Sequence, residues 1–208
     1  TTLGFRAMLG MASYVATVIV GLLVLLGVYM LILKLLAGQS PVRFLKDTRD
    51  VLLLAFSTSS SAAVMPLSIR TAEDKLGVRP SVSQFVIPLG ATINMNGTAL
   101  YQAVATIFLA QVYGIDLSMG SMALVVAMAV GASIGSPATP GVGIVILAMV
   151  LQTVGIPPSG IALIMGVDRI LDMCRTAINV TGDLVTCRLM ENLAGKRLPP
   201  EPVPEETS

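Results

Sequence analysis

Asp168, Asp172, Arg175, Asn179 and Asp183 recur at steps of four, three, four and four residues within GVDRILDMCRTAINVTGDLV. On a helix that spacing holds all five side chains on one face, within roughly 80° at 100° per residue. The rest of the segment is largely apolar. A charge held at bilayer depth costs about 2.5–3.5 kcal/mol on the insertion scale, so these acids and the guanidinium need partners, water or ions. A structural salt-bridge network between helices is the plainer reading of an Asp–Arg pair. Here acids outnumber the base, and the surplus implies an arriving cation, either a metal ion or an ammonium group. Arg175 suits a carboxylate, which it can grip with two parallel N–H donors. A ligand with an ammonium group and carboxylates would satisfy the whole face, which describes an acidic amino acid.

Three further motifs could complete such a site. Ser59, Ser60 and Ser61 lie between apolar Leu52–Phe56 and Val64–Leu67. A tip there, flanked by half-helices with free N–H groups, can hold a carboxylate through hydroxyls and amides together. The alternative is a polar loop at the membrane surface. NMNGT, from Asn94 to Thr98, interrupts a long apolar run. Unwinding there would free backbone carbonyls, hard oxygen ligands for an alkali cation; the alternative is a simple kink. The Gly- and Pro-rich break Ser133–Gly143 has apolar flanks too long for a surface loop and reads as a second membrane-inserted tip.

Other chemistry is limited by what is missing. The sequence has no histidine, which removes Ser-His-Asp and Cys-His nucleophiles, HExxH zinc sites and imidazole proton shuttles. Cys174 and Cys187 both fall in the last hydrophobic segment and read as packing residues in preference to a disulfide or a metal site. An intramembrane aspartyl protease needs two facing acids. Asp172 and Asp183 share one helix about 16 Å apart, and no other apolar span carries an acid. A passive channel would explain the polar face but not the combination of Asp172 with Arg175. The chain is therefore read as a non-enzyme. Its formal charge of +1 gives no reason to expect a nucleic-acid partner.

The elements that must position these residues follow from hydropathy and charge. Apolar residues make up 54% of the chain and charged residues 12%, with mean hydropathy +0.85; this is the composition of an integral membrane protein. TTLGFRAMLG has no signal-peptide cleavage pattern and leads into uncharged Met8–Leu33, long enough for one span. A basic connector with Lys34, Arg43, Lys46 and Arg49 follows, then uncharged Val51–Ile69, then Arg70, Lys75 and Arg79. The positive-inside bias puts both basic stretches in the cytoplasm, so Val51–Ile69 must enter and leave by one face as a re-entrant hairpin. Pro80–Ile115 crosses outward to Asp116. Leu117–Val167 is too long for one span and becomes a second hairpin entered from outside, after which the last helix returns. Hairpins from opposite faces suggest an inverted repeat, with broken helices meeting near the midplane.

Together these motifs resemble the glutamate transporter family, the dicarboxylate/amino acid:cation symporters. The resemblance rests on the serine-rich hairpin, PLGATINMNGTALYQ at Pro88–Gln102, SIGSPATPGVG at Ser133–Gly143 and DRILDMCRTAINVTGD at Asp168–Asp183. It covers nearly the whole chain and implies an all-α membrane protein: an inverted-repeat transport domain with two re-entrant helical hairpins and broken transmembrane helices. Residues 1–37 would be a scaffold helix and 38–195 the transport domain. Within that domain lie a first hairpin at 41–75, a broken helix at 80–113, a second hairpin at 119–157 and the ionic helix at 159–194. Residues 196–208 read as a disordered cytoplasmic tail.

By the same resemblance, Asp172 would hold the substrate's α-amino group and Asn179 its α-carboxylate, with Thr176 on the same face. Arg175 and Thr98 would take the side-chain carboxylate, while Ser59, Ser60 and Ser61 and the backbone from Thr139 to Gly143 close over it. One sodium would sit among Gly90, Asn94, Asn179 and Asp183. Another would use backbone around Thr92, Ser133, Ile134 and Ser136. Asn96 stands where the family commonly has Asp, which leaves a third cation site in doubt and makes proton coupling an alternative. The resemblance thus implies a sodium-coupled elevator-type symporter of aspartate or glutamate, with a C4-dicarboxylate carrier as the second reading. No cofactor is implied beyond the coupling ions. It further implies a homotrimer in the plasma or inner membrane, multi-pass, with a cytoplasmic C-terminus. The matching region corresponds to the C-terminal half of the family, beginning at the helix before the first hairpin.

Overall fold

The computed structural model describes residues 2–194, with side chains from Leu9 onward. The expected tail, 196–208, lies outside the described residues. Within them the chain is helical throughout, without strands. α1, Thr2–Ala37, contains the 29-residue stretch Leu9–Ala37, apolar and long enough to cross a membrane. Gly38, at φ 64°, ends it in the left-handed region that favours glycine.

Two helical pairs and one broken helix follow. α2 (Pro41–Thr58) starts with Pro at its first turn, where the missing N–H is harmless. It stops at Ser59, whose φ of 54° makes it the one non-glycine residue at positive φ among those described. Ser60 then caps α3 (Ser61–Asp74), accepting the Ala63 amide at 3.2 Å. α4 (Pro80–Ile93) and α5 (Asn96–Val112) are separated by Asn94 and Met95, both outside helical geometry. α6 (Met119–Ser133) and α7 (Val142–Thr153) flank a loop that turns through Gly135 and Gly141, each at φ 80°. α8 (Ile161–Ala194) is a single uninterrupted helix.

α8 is the axis of the molecule. It packs against α1 through α5, and more lightly against α7. Tyr14, Val18, Leu22 and Leu33 of α1 share one core with Ile164, Leu171, Ile178 and Leu184 of α8. Tyr14 also stacks on Phe108 of α5, with ring centroids 4.8 Å apart. Val125 of α6 and Ile146 and Val150 of α7 form a separate small cluster. Large apolar side chains such as Val20, Val24 and Leu31 remain exposed on α1, as expected of a surface facing lipid.

Candidate functional site

All five stripe residues are buried on the inner face of α8, Arg175 most deeply at 1% exposure. An ionic face can be held there because most of its charge is paired within α8 itself. Arg175 Nη2 lies 2.9 Å from Asp172 Oδ1 and its Nε donates to the same oxygen at 3.1 Å. Nη1 reaches Asp168 Oδ1 at 3.4 Å. The guanidinium also stacks over the Tyr101 ring, 4.1 Å from its centroid.

Two of the three acids are therefore already ion-paired. Asp168 and Asp172 share one fixed guanidinium. Asp183 pairs with no base among the described residues; its partner is the Asn94 amide, which donates to Oδ1 at 3.0 Å. Arg169 Nη1 lies 4.0 Å from Asp172 Oδ2 but is largely exposed, so the three acids still outnumber the one buried base.

The residues assigned to substrate, other than Ser60, line one cavity: Ser59, Ser61, Thr98, Thr139, Gly143, Asp172, Arg175, Thr176 and Asn179. The cavity lies where the α2–α3 tip, the α4–α5 break, the α6–α7 loop and α8 converge. Asn179 is clamped by two bonds to α5, accepting the Gly97 amide at 2.7 Å and donating to the Thr98 hydroxyl at 3.0 Å. Ser60 joins the two tips instead. Its hydroxyl donates to the Ala138 carbonyl at 2.9 Å, which also accepts the Ala62 amide at 3.3 Å. Among the described residues, the Ser59 hydroxyl is buried against the cavity without a hydrogen-bond partner. Such an orphan polar atom costs about 1–3 kcal/mol unless a ligand or water meets it.

The open space is small, about 20 Å³, enough for a water molecule. Gly143 explains part of the tightness. A Cβ at that position would lie 2.5 Å from Arg175 Nη2, so only glycine lets the α7 backbone approach the guanidinium.

The residues assigned to cations fall into two groups. Around Asp183, a Cβ on Gly90 would come within 2.6 Å of the carboxylate, and Asn94 bonds it directly. Asn96 donates to Asn94 Oδ1 at 2.6 Å and to the Tyr29 hydroxyl at 2.9 Å. Asn94 turns its NH2 to the carboxylate and its Oδ1 to Asn96, so in this arrangement Asp183 is the hard, singly charged oxygen donor available to a monovalent ion. In the second group the Thr92 carbonyl accepts the Gly135 amide at 2.7 Å, tying the broken helix to the second loop. Ser133 and Ser136 donate their hydroxyl hydrogens back to the Ala129 and Ala132 carbonyls, at 2.6 and 2.7 Å. Ile134 points its side chain outward and can contribute only backbone.

Sequence reading missed Tyr29, Met95, Ala138 and the close approach at Gly182. A Cβ on Gly182 would meet Asn94 Nδ2 at 2.5 Å and the Tyr29 hydroxyl at 2.7 Å. Tyr29 carries no local signal, because its role depends on which face of α1 meets α8. Met95 and Ala138 lie inside motifs already singled out, where a finer reading of the breaks would have found them.

The model of the sodium:dicarboxylate symporter family matches residues 1–193. Excitatory amino acid transporter 3 of Mus musculus is 42% identical over 186 residues, 89% of this chain and 36% of that protein. The proton/sodium-glutamate symport protein of Bacillus subtilis is 41% identical over 192 residues, 92% of this chain and 44% of that protein. Excitatory amino acid transporter 2 of Mus musculus is 41% identical over 189 residues, 90% of this chain and 33% of that protein. The chain thus spans less than half the length of these relatives. With a family model covering almost all of it and a helical site built on the same motifs, this chain belongs to the sodium:dicarboxylate symporter family.

Proposed function

We propose that this chain is the substrate-carrying part of a secondary active symporter that moves aspartate or glutamate with sodium. The observation that carries this reading is the cavity where Asp172, Arg175, Thr98 and Asn179 converge beneath both helical tips. Asp172 would receive the α-ammonium, Arg175 and Thr98 the side-chain carboxylate, and Asn179 the α-carboxylate. Thr176 and the Ser59–Ser61 tip complete the polar lining. The ammonium and the side-chain carboxylate then each meet an opposite charge, and the α-carboxylate an amide donor, in a site shielded from water, where such contacts are strong.

In the closed arrangement Arg175 is ion-paired with Asp172 and Asp168, yet its buried Nη2 makes no hydrogen bond among the described residues, so an incoming carboxylate gains a donor while exchanging ion pairs. A water-sized cavity cannot admit the amino acid until the tips part, which breaks the two bonds at Ala138 and the Gly141 amide's bond to Asp172. Net hydrogen bonds of about 1 kcal/mol each make such opening thermally accessible. The two helical pairs are read as re-entrant hairpins from opposite faces, with α6–α7 as the extracellular gate. Sodium at Asp183, Asn94, Gly90 and Asn179, and at the Thr92/Ser133/Ile134/Ser136 backbone, would lock the broken helix and the gate.

α1 is assigned to the moving unit, in place of the scaffold role expected from sequence, because its buried face is continuous with that of α8. The loaded unit would slide as an elevator against a frame in a homotrimer, in a cell membrane with the C-terminus cytoplasmic. Proton coupling is the second reading, favoured by the neutral Asn96 beside Asn94.

Titration calorimetry in detergent tests the proposal. Aspartate binding in sodium should weaken roughly a hundredfold in Arg175→Ala and in Asp172→Asn, the loss expected for a charge-assisted contact. Unchanged affinity in both variants refutes the assignment. Binding of succinate equal to that of aspartate would favour the dicarboxylate alternative.

A further inference from the structure

A second polar cavity, of about 430 Å³, lies at the end of the molecule opposite the gate loop. It is framed by the turn between α1 and α2, the turn between α3 and α4, and the last part of α8. Three cationic side chains line it, Arg43, Lys75 and Arg188, each from a different element. Among the described residues no acidic side chain lines it. Arg188 is aimed by Gln39, whose side-chain oxygen accepts its Nε–H at 3.2 Å. The acids that do approach these cations lie outside the cavity and bind loosely: Asp47 is 3.6 Å from Arg43, and Asp50 is 3.5 Å from Lys75. Those pairs are exposed on at least one side, so water screens them and they hold the cations weakly.

Backbone adds to the same bias. Ser40 precedes α2 and makes no side-chain capping bond, so the first amides of an 18-residue helix face this end of the molecule. Gly38 and Gly77, both at φ 64°, turn the two loops, and a Cβ on either would meet nothing within 4 Å. The space between the loops is therefore open.

The surroundings identify the source of the anion. Leu35, Leu36 and Val42 flank the cavity with their side chains 69%, 65% and 78% exposed. Apolar surface beside a basic pocket suits an amphiphile, with its charge in the pocket and its chains along the leucines. A free anion has no use for that surface. The location fits as well: both turns belong to the basic connectors that the positive-inside bias puts in the cytoplasm, the leaflet that carries anionic lipid.

We propose that Arg43, Lys75 and Arg188 form a binding site for the phosphate of an anionic phospholipid headgroup in the cytoplasmic leaflet. The site is separate from the substrate cavity, and the inference holds whichever acid that cavity carries. Because one cation comes from each of three elements, a bound headgroup would tie the base of the first hairpin to α1 and α8.

The test measures thermal stability and lipid retention of the detergent-purified protein. The probes are short-chain phosphatidylglycerol, short-chain phosphatidylcholine and inorganic phosphate. Phosphatidylglycerol should raise the denaturation temperature and remain bound, whereas phosphatidylcholine should do neither. Arg43→Gln/Lys75→Gln/Arg188→Gln should weaken phosphatidylglycerol binding roughly a hundredfold, at about one protein–lipid charge contact per residue. Arg43→Lys/Arg188→Lys, which keeps the charge, should retain it, and this variant controls for misfolding of the triple variant. Lys46→Gln/Arg49→Gln/Arg70→Gln removes as much charge outside the cavity and should bind as the parent does. Equal loss in that control would reduce the effect to diffuse attraction and overturn the site. Stabilisation by inorganic phosphate matching that by phosphatidylglycerol would overturn the lipid assignment. Binding that emerges only after truncation at Ala194 would name the acidic tail as occupant and overturn it equally.

Discussion

At the scale of single residues, the site depends on a few contacts with little room to adjust. Gly143 is the clearest. Gly143→Ala would set a methyl group 2.5 Å from Arg175 Nη2, forcing the guanidinium or the α7 backbone aside. Aspartate affinity should fall at least tenfold, with the fold intact by circular dichroism, and an unchanged dissociation constant would remove Arg175 from the substrate contact. Gly90→Ala acts on the cation instead, since its Cβ would lie 2.6 Å from Asp183 Oδ1. The expected signature is a higher sodium requirement with substrate affinity recovered at saturating sodium, read from aspartate titrations across sodium concentrations. Asn96→Asp adds a carboxylate beside Asn94 and Tyr29. Reversal potentials measured on the full-length protein should then report a changed ion stoichiometry, and identical potentials would separate Asn96 from coupling.

At the scale of elements, the breaks in the helices matter more than the helices. Ser60 does two jobs, capping α3 and linking the two tips through Ala138. Ser60→Ala should lower stability by about 1 kcal/mol, the ordinary loss for an N-cap, and let the tips part more readily. Faster labelling of a cysteine placed at Thr139 would report that opening, and labelling at the parent rate would show that the link does not hold the gate. The helical stops were legible in sequence because Ser, Gly, Pro and Asn act locally on the backbone. Partners across elements were not. Nothing near Tyr29 announces that its hydroxyl meets Asn96, 67 residues away. The pairing of Asp168 with Arg175 is seven residues long and on one helix. It was visible as a possibility, but the choice between a fixed pair and a free acid depended on where the guanidinium turned.

At the scale of the molecule, the turn between α3 and α4 is fastened to α8 by Glu191. Its carboxylate accepts the backbone amide and the Nε–H of Arg79, each at 3.0 Å, and both side chains are largely buried. Ser83 adds a short bond to Glu73 across the same turn, 2.5 Å. Glu191→Gln should lower stability by about 1.5–3 kcal/mol, the range for a charge-assisted bond in a partly buried site, measured as a fall in denaturation temperature. No change would mean that apolar packing alone seats α4 on α8. The arrangement of crossings makes its own prediction. Cysteines at Lys46 and Asp116 should be labelled from opposite sides of the membrane, and labelling of both from one side would overturn the hairpin topology.

Several things were determined by the sequence alone: the apolar composition, the ionic stripe, the positions of the helical breaks and the absence of imidazole chemistry. All are properties of neighbouring residues or of periodicity, which local physics sets before any packing occurs. Tertiary structure decided which acids are already ion-paired, that the cavity beneath the two helical tips is shut to the size of a water molecule, and that α1 joins the core around α8. It also gathered three cations from separate elements into one pocket. These outcomes depend on distances between segments far apart in the chain, and such distances are fixed only when the helices pack.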